Sequence, residues 1–326
     1  MEGIAVTGLA EDSRAVLPGD LFLALPGLSQ DRSREHIEAA RAAGAAAVLA
    51  DADALGAALP GVRRCPALRR HASTIAGRYC GEPSHSLDVI GVTGTNGKST
   101  VAHLVATALL ELAPARPVGL LGTLGNGLVG ALVPSALTTP GAVETQGWLA
   151  ALRAAGAGSV VMEVSSHALD QHRVGAIRFA VAAFTNLTRD HLDYHGSLAA
   201  YTEAKLRLFT EPEVAAVSYN ANDPLAARIR ACVAAGTPVI GWGLDAATGV
   251  LLRPASLQLG RDGIRMRGDW QGRGWEIASA LVGRFNAENL LAAFACLLLL
   301  GHEAAAAAAA LSRVPPVRGR LERLLP

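Results

Sequence analysis

Gly91-Val92-Thr93-Gly94-Thr95-Asn96-Gly97-Lys98-Ser99-Thr100 follows an apolar run (Leu87, Val89, Ile90) and opens a second, helix-compatible apolar run over residues 101–112. Strand, glycine-rich turn and helix is the setting in which a phosphate loop forms. Gly94 and Gly97 accept backbone angles that bring amide N–H groups close to an anion, and the helix start adds its partial positive charge. In such a loop Lys98 reaches the β- and γ-phosphates and the Ser99 hydroxyl binds Mg²⁺. The strict G-x-x-x-x-G-K-[ST] spacing is broken at residue 92, a valine. The competing reading is a glycine turn that merely joins a strand to a helix; the flanking runs favour a nucleoside triphosphate site.

Outward from this loop, strand and helix signals alternate. Residues 118–121, 159–164, 179–184, 215–219 and 238–242 read as strands, and 145–155, 198–209 and 286–300 as helices. The alternation predicts an α/β protein with a mostly parallel sheet covered on both faces. Residues 250–280, with Gly260, Gly263, Gly268, Gly272 and Gly274 among alternating polarity, predict a small antiparallel hairpin appendage. Upstream, apolar runs at 21–25 and 45–49 flank a helix-like stretch at 34–43. We therefore expect a small α/β domain over 1–86 and an ATP-binding domain over 87–326.

The chain has 326 residues, enough for two cores, with 51% hydrophobic and 17% charged residues. A net charge of +1, without a dense Lys/Arg stripe, gives no basis for a nucleic-acid partner. Cys65, Cys80, Cys232 and Cys296 show no zinc spacing and read as reduced thiols. The N-terminus lacks a signal-peptide pattern. The longest apolar run, 290–300, is 11 residues. That is short of the ~20 needed to cross a bilayer, so it reads as a buried helix. The expectation is a cytoplasmic protein with no membrane partner, monomeric by default.

Two further segments carry chemistry. Glu163 ends its strand in Met162-Glu163-Val164-Ser165-Ser166-His167, at the carboxyl edge where ligands of open sheets gather. A carboxylate there can hold Mg²⁺ beside a phosphate loop. The segment Asn186-Leu187-Thr188-Arg189-Asp190-His191-Leu192-Asp193-Tyr194-His195 holds two Asp and two His in six residues but matches no standard zinc spacing. Lys205 follows ten residues after His195 and, taken alone, reads as a surface lysine.

The ordered set of 94–100, Thr138-Thr139-Pro140, Glu163-Val164-Ser165-Ser166-His167-Ala168-Leu169, 186–195, Lys205 and Gly283-Arg284-Phe285-Asn286-x-x-Asn289 resembles the Mur ligases. Asp12-Ser13-Arg14 and Pro18-Gly19-Asp20-Leu21-Phe22 resemble the opening of their tripeptide-forming branch. The resemblance implies an ATP-dependent ligase that adds a diamino acid, meso-diaminopimelate or L-lysine, to UDP-N-acetylmuramoyl-L-alanyl-D-glutamate through an acyl phosphate in peptidoglycan synthesis. It implies that Gly94, Thr95, Asn96, Gly97, Lys98, Ser99 and Thr100 bind ATP phosphates, with Asn286, Asn289 and Arg320 toward the rest of the nucleotide. It implies that Ser99 and Glu163 hold one Mg²⁺, that His191 helps hold a second, and that Lys205 carries a carbamate acting on the metals. Lys98, His191 and Lys205 are then the catalytic residues. Ser13 and the loop Ser29-Gln30-Asp31 are implied on the uridine and diphosphate side, and Thr138, Thr139, Ser165, Gln171 and Arg173 on the muramoyl-dipeptide side.

Three departures stand out. The family continues into a further amino-acid-binding domain absent here, so the expectation is a chain that binds substrates with weak or no ligation. The opening before Asp12 is short, and the family's Asp-Gly is Asp31-Arg32. Two other readings remain: another Mur-type or folylpolyglutamate-like ligase, and a non-catalytic module that binds nucleotide precursors.

Overall fold

The computed structural model describes residues 4–26, 30–52, 55 and 58–316. The first sheet is parallel throughout, in the order β1 (Gly8–Ala10), β2 (Asp20–Ala24), β3 (Ala47–Asp51) and β4 (Val62–Cys65). Helix α1 (Gln30–Ala42) follows β2 and α2 (Leu68–Tyr79) follows β4. Phe22, Val48, Ala50 and Ile37 fill one face of the sheet; Leu21, Leu23, Leu68 and Ala72 fill the other. The alternation of neighbouring β2 residues between these two cores is the period-2 geometry of a strand buried on both sides. Gln30 and Asp31, expected in a loop, already form the first turn of α1.

The main sheet has eight strands. They are β5 (Asp88–Thr93), β6 (Val118–Gly122), β7 (Gly125–Leu128), β8 (Ala131–Val133), β9 (Ser159–Glu163), then, past the short β10 (Arg178–Phe179), β11 (Val181–Phe184), and, past β12 (Glu213–Val214), β13 (Val217–Asn220) and β14 (Val239–Trp242). Their spatial order is β14-β13-β11-β5-β9-β6-β7-β8, parallel from β14 to β6 and antiparallel at the β7–β8 edge. The strand expected over 179–184 is broken at Ala180: β10 pairs with β12 outside the main sheet, while β11 pairs with β5. At the break the Ala180 N–H donates to Val89 O of β5 at 2.8 Å.

Helix α3 (Lys98–Leu112) crosses from β5 to β6, and α4 (Ala142–Ala154) leads into β9, starting three residues earlier than its periodicity predicts. Short helices α5 (Ser166–Asp170) and α6 (Leu192–His195) lie in the loops after β9 and β11. Helices α7 (Leu198–Leu206) and α8 (Ala226–Cys232) precede α9 (Arg284–Leu299) and α10 (Ala304–Arg313). The apolar run in α9 is buried on all sides, from Leu290 through Leu297, which explains its uniform hydrophobicity. No described helix is long and apolar enough to cross a membrane. The glycine-punctuated segment forms three antiparallel strands rather than a single hairpin: β15 (Ser256–Gly260), β16 (Gly263–Trp270) and β17 (Arg273–Ser279). They add Ile264, Met266, Trp275 and Ile277 to the core of α9 and α10.

Candidate active site

The strand order decides which loops meet. β5 lies between β9 and β11, with Val92 level with Glu163 on one side and with Ala183 on the other. The loops leaving the carboxyl ends of these three strands therefore share one edge, the place where open α/β sheets collect ligands.

The loop from Gly94 to Lys98 turns on two glycines. Gly94 (φ +149°) and Gly97 (φ +85°) occupy backbone regions that disfavour other residues. A Cβ on Gly94 would overlap the Thr185 hydroxyl, and one on Gly97 would overlap Asn289 Oδ1. From the β11 side, Asn186 clamps the loop: the Asn96 N–H donates to Asn186 Oδ1 (3.0 Å), and Asn186 Nδ2 donates to Asn96 O (3.1 Å). Thr185 Oγ1 donates to the same carbonyl at 2.6 Å. Thr95 is tied to Thr188 O (3.3 Å) and to the Tyr201 hydroxyl (3.0 Å). Lys98 folds over the loop, donating to Gly94 O at 3.0 Å and Thr95 O at 2.9 Å.

From the β9 side, buried Glu163 accepts from Ser99 Oγ at 2.9 Å and from the Thr123 N–H at 2.8 Å. The Thr123 hydroxyl lies 3.4 Å from Glu163 and donates to Thr138 Oγ1 at 3.2 Å. Ser99, Thr123, Thr138 and Glu163 thus offer oxygen donors with one carboxylate. That set suits Mg²⁺, which takes one or two carboxylates and completes its shell with water and substrate phosphate. Among the described residues no three His, Cys, Asp or Glu side chains converge as a metal cage.

Lys205 is buried, 1% exposed. Its Nζ donates to Gly94 O at 2.8 Å and lies 4.5 Å from the centre of the Tyr201 ring. Burial, followed by the positive charge of Lys98, holds its pKa well below the usual lysine range, with Asp190 opposing weakly. The surface reading of Lys205 taken alone is therefore corrected: α7 turns it inward, under the loop. His191 starts α6 in a left-handed conformation (φ 50°), with its ring 5.0 Å from that of His167 and Nε2 3.6 Å from Asp190.

The segment after β9 holds Ser165, Gln171 and Arg173 and meets Thr139, which lies just before α4. Thr139 Oγ1 donates to Glu163 O (2.8 Å) and accepts from the Ser165 N–H (3.0 Å). Arg173 donates to Thr139 O and to Gln171 Oε1, both at 2.8 Å. Gln171 Nε2 donates to the Tyr194 hydroxyl at 3.0 Å, and that hydroxyl donates to Asp170 at 3.0 Å. Asn289 Nδ2 donates to Asn286 Oδ1 at 3.2 Å on the far side of Gly97. Ser13 bonds His36 Nδ1 at 3.0 Å beside a cavity of about 370 Å³ lined also by Glu11, Phe22 and Ser33. Ser29 and Arg320 lie outside the described residues.

The family described as Mur ligase middle domain matches residues 92–297. The chain belongs to the Mur ligase family. Among curated Mur ligases it is similar to UDP-N-acetylmuramoyl-L-alanyl-D-glutamate--2,6-diaminopimelate ligase of Xanthomonas oryzae pv. oryzae. Identity there is 43% over 98% of this chain and 65% of that protein. It is 44% identical to the ligase of that name from Pseudomonas aeruginosa, over 98% of this chain and 66% of that protein. A solved structure carrying the same ligase name superposes with a TM-score of 0.87 at 32% identity, over 97% of this chain and 64% of that one. The chain thus spans about two-thirds of the length of these Mur ligases.

Sequence reasoning missed Thr123, Asn186 as a clamp, Tyr194 and Glu11. Asn186 and Tyr194 fall inside a segment already singled out. Thr123 follows the carboxyl end of β6, a position that only the β6–β9 pairing makes significant.

Proposed function

We propose that this chain carries the ATP and UDP-N-acetylmuramoyl-L-alanyl-D-glutamate sites of a peptidoglycan ligase that adds 2,6-diaminopimelate. The observation that carries the reading is the meeting of Lys98, the Ser99–Glu163 pair and buried Lys205 on one phosphate loop. The choice of amine rests on the names of the curated relatives. The division at residues 86 and 87, and a cytoplasmic location beside ATP and nucleotide-sugar pools, belong to the same reading.

A carboxylate is a poor electrophile until one of its oxygens becomes a good leaving group. The D-glutamyl carboxylate attacks the γ-phosphorus, a C–O–P linkage forms and ADP leaves. The incoming amine then attacks that carbonyl, a C–N bond forms, phosphate leaves and the amine gives up a proton. The protein's share is positioning and charge stabilisation. The loop amides and Lys98 hold the phosphates. Mg²⁺, held by Ser99 and Glu163 when bound, would supply charge neutralisation at the transferring phosphoryl group, and His191 would help hold a second cation. The lowered pKa of Lys205 supports a neutral amine able to take up CO₂ as a carbamate. Arg173, Thr138, Thr139, Ser165 and Gln171 orient the dipeptide, and Asn286 and Asn289 the adenine side.

Calorimetric titration with UDP-N-acetylmuramoyl-L-Ala-D-Glu, against the same nucleotide lacking D-Glu, tests this. Preference for the dipeptide form, lost in Arg173→Ala, is the expected result. Equal affinity for the two nucleotides would overturn the substrate assignment.

A further inference from the structure

Helix α4 begins at Ala142 with Gly141 as its cap residue, and Gly141 has no side chain to satisfy the first amides. The partner comes from 132 residues upstream: Glu11, directly after β1, accepts from the Val143 N–H through Oε1 at 3.0 Å. A Cβ on Gly141 would overlap that same carboxylate oxygen, so the glycine leaves the room the carboxylate occupies. Ala142 and Val143 also pack into the core formed by Leu21, Leu23, Leu68 and Ala72, so the helix start is embedded in the face of the first sheet.

Glu11 and Arg173 hold the same stretch of chain, Glu11 at Val143 and Arg173 at Thr139. Burial raises the Glu11 pKa, while the amides of Val143, Glu144 and Ala142 and the Arg173 guanidinium oppose that rise. Burial lowers the Arg173 pKa, and Glu11 is the foremost opposing influence, with Arg69 the nearby like charge. Arg173 in turn holds Thr139 O and Gln171 Oε1. Glu11 and Ser13 both line the cavity of the first sheet.

We propose that Glu11 is a positioning residue: its carboxylate caps α4 from the first sheet and so fixes the 139–143 stretch whose Thr139 carbonyl Arg173 holds, setting the spacing between the Ser13 side and the Thr139–Arg173 side of one extended ligand site. This rests on the proposed function, because the ligand that spans both sides is the nucleotide-sugar dipeptide. It adds a residue outside the Asp12-Ser13-Arg14 motif and gives it a role through the 139–143 stretch that Arg173 also holds. The anion-binding start of α4 is filled by the chain's own carboxylate, so a carboxylate of the ligand is left to Arg173 and the threonines.

Glu11→Gln keeps an acceptor for Val143 and loses the charge; Glu11→Ala loses both. Calorimetry should show UDP-N-acetylmuramoyl-L-Ala-D-Glu weakened three- to tenfold in Glu11→Gln and more in Glu11→Ala, with Mg²⁺-ATP affinity within twofold of the parent. The Glu11→Gln/Arg173→Lys pair should be non-additive for the dipeptide nucleotide and not for Mg²⁺-ATP. Unchanged dipeptide affinity, equal losses for both ligands, or additivity would overturn the role. If the parent binds no nucleotide-sugar, the functional reading itself fails. Amide hydrogen exchange then decides the cap: faster exchange at Val143 and Glu144 in Glu11→Ala supports it, and unchanged exchange refutes it.

Discussion

At Lys205 a single side chain carries both a stability cost and a chemical opportunity. A lysine whose folded-state pKa lies below 10.5 binds fewer protons folded than unfolded across the window between the two values. Its cost is full below the folded pKa and fades as pH rises toward the unfolded value. Lys205→Met should therefore raise unfolding free energy at neutral pH by about 1 kcal/mol. The stability advantage over the parent should shrink between pH 7 and pH 10, and ATP turnover should fall at least about a hundredfold. Urea unfolding at the two pH values and an ADP-release assay check this; a less stable Met variant at pH 7 would contradict it. Glu163→Gln leaves the Thr123 and Ser99 contacts sterically possible but removes the carboxylate. ATP turnover should drop by two to three orders of magnitude (about 3–4 kcal/mol) with little loss of secondary structure.

Elements matter here mainly through their ends. The turn between β5 and α3 depends on Gly97, whose φ of +85° and contact with Asn289 leave no room for a side chain. Gly97→Ala should cost about 1–3 kcal/mol in a urea melt and weaken ATP binding as well. The loops carrying α5 and α6 are joined by the Tyr194 hydroxyl, which bonds both Gln171 and Asp170. Its ring lies 4.0 Å from that of His167. Removing the hydroxyl in Tyr194→Phe should raise the Kd for the dipeptide nucleotide about three- to tenfold, the equivalent of one hydrogen bond, and leave the Kd for ATP alone. A change in the ATP Kd of the same size would place Tyr194 in the nucleotide site instead. The β5 turn was legible in advance because glycine, lysine and serine at fixed spacing leave little choice of backbone. The Tyr194 bridge was not, because a tyrosine in a polar loop gives no sign of which loop it will meet.

For the molecule as a whole, the joint between the first sheet and α4 is what sequence position conceals. Arg153 near the end of α4 donates to Cys80 O (3.1 Å) and Gly81 O (2.9 Å) after α2. Together with Glu11 it fastens both ends of that helix to the first unit. Arg153→Ala should lower stability by about 1 kcal/mol while leaving ATP affinity unchanged, since it lies far along α4 from the phosphate loop. Mg²⁺-ATP at a hundred times its Kd should stabilise the chain by about 2.7 kcal/mol, and a chelator should abolish most of that gain. A chelator-insensitive shift would count against Ser99 and Glu163 as cation ligands.

The amino-acid sequence by itself determined the local chemistry. Apolar runs with glycine and proline between them yield strands and helices in a set order, and the Gly94–Ser99 motif dictates its own turn because few backbones accept those glycines. It also determined family membership, through motifs kept in order along the chain. Tertiary structure alone decided which strand ends are neighbours. β9 and β11 flank β5, though 66 residues separate Thr93 from Ser159 and 88 separate Thr93 from Val181. That adjacency buries Lys205 beneath the loop, the β6–β9 pairing brings Thr123 to Glu163, and the packing of the first sheet against α4 sets Glu11 on its start. The reason is that pairing between distant segments is settled by the packing of whole faces, a sum over many residues, whereas a turn is settled by the few residues within it.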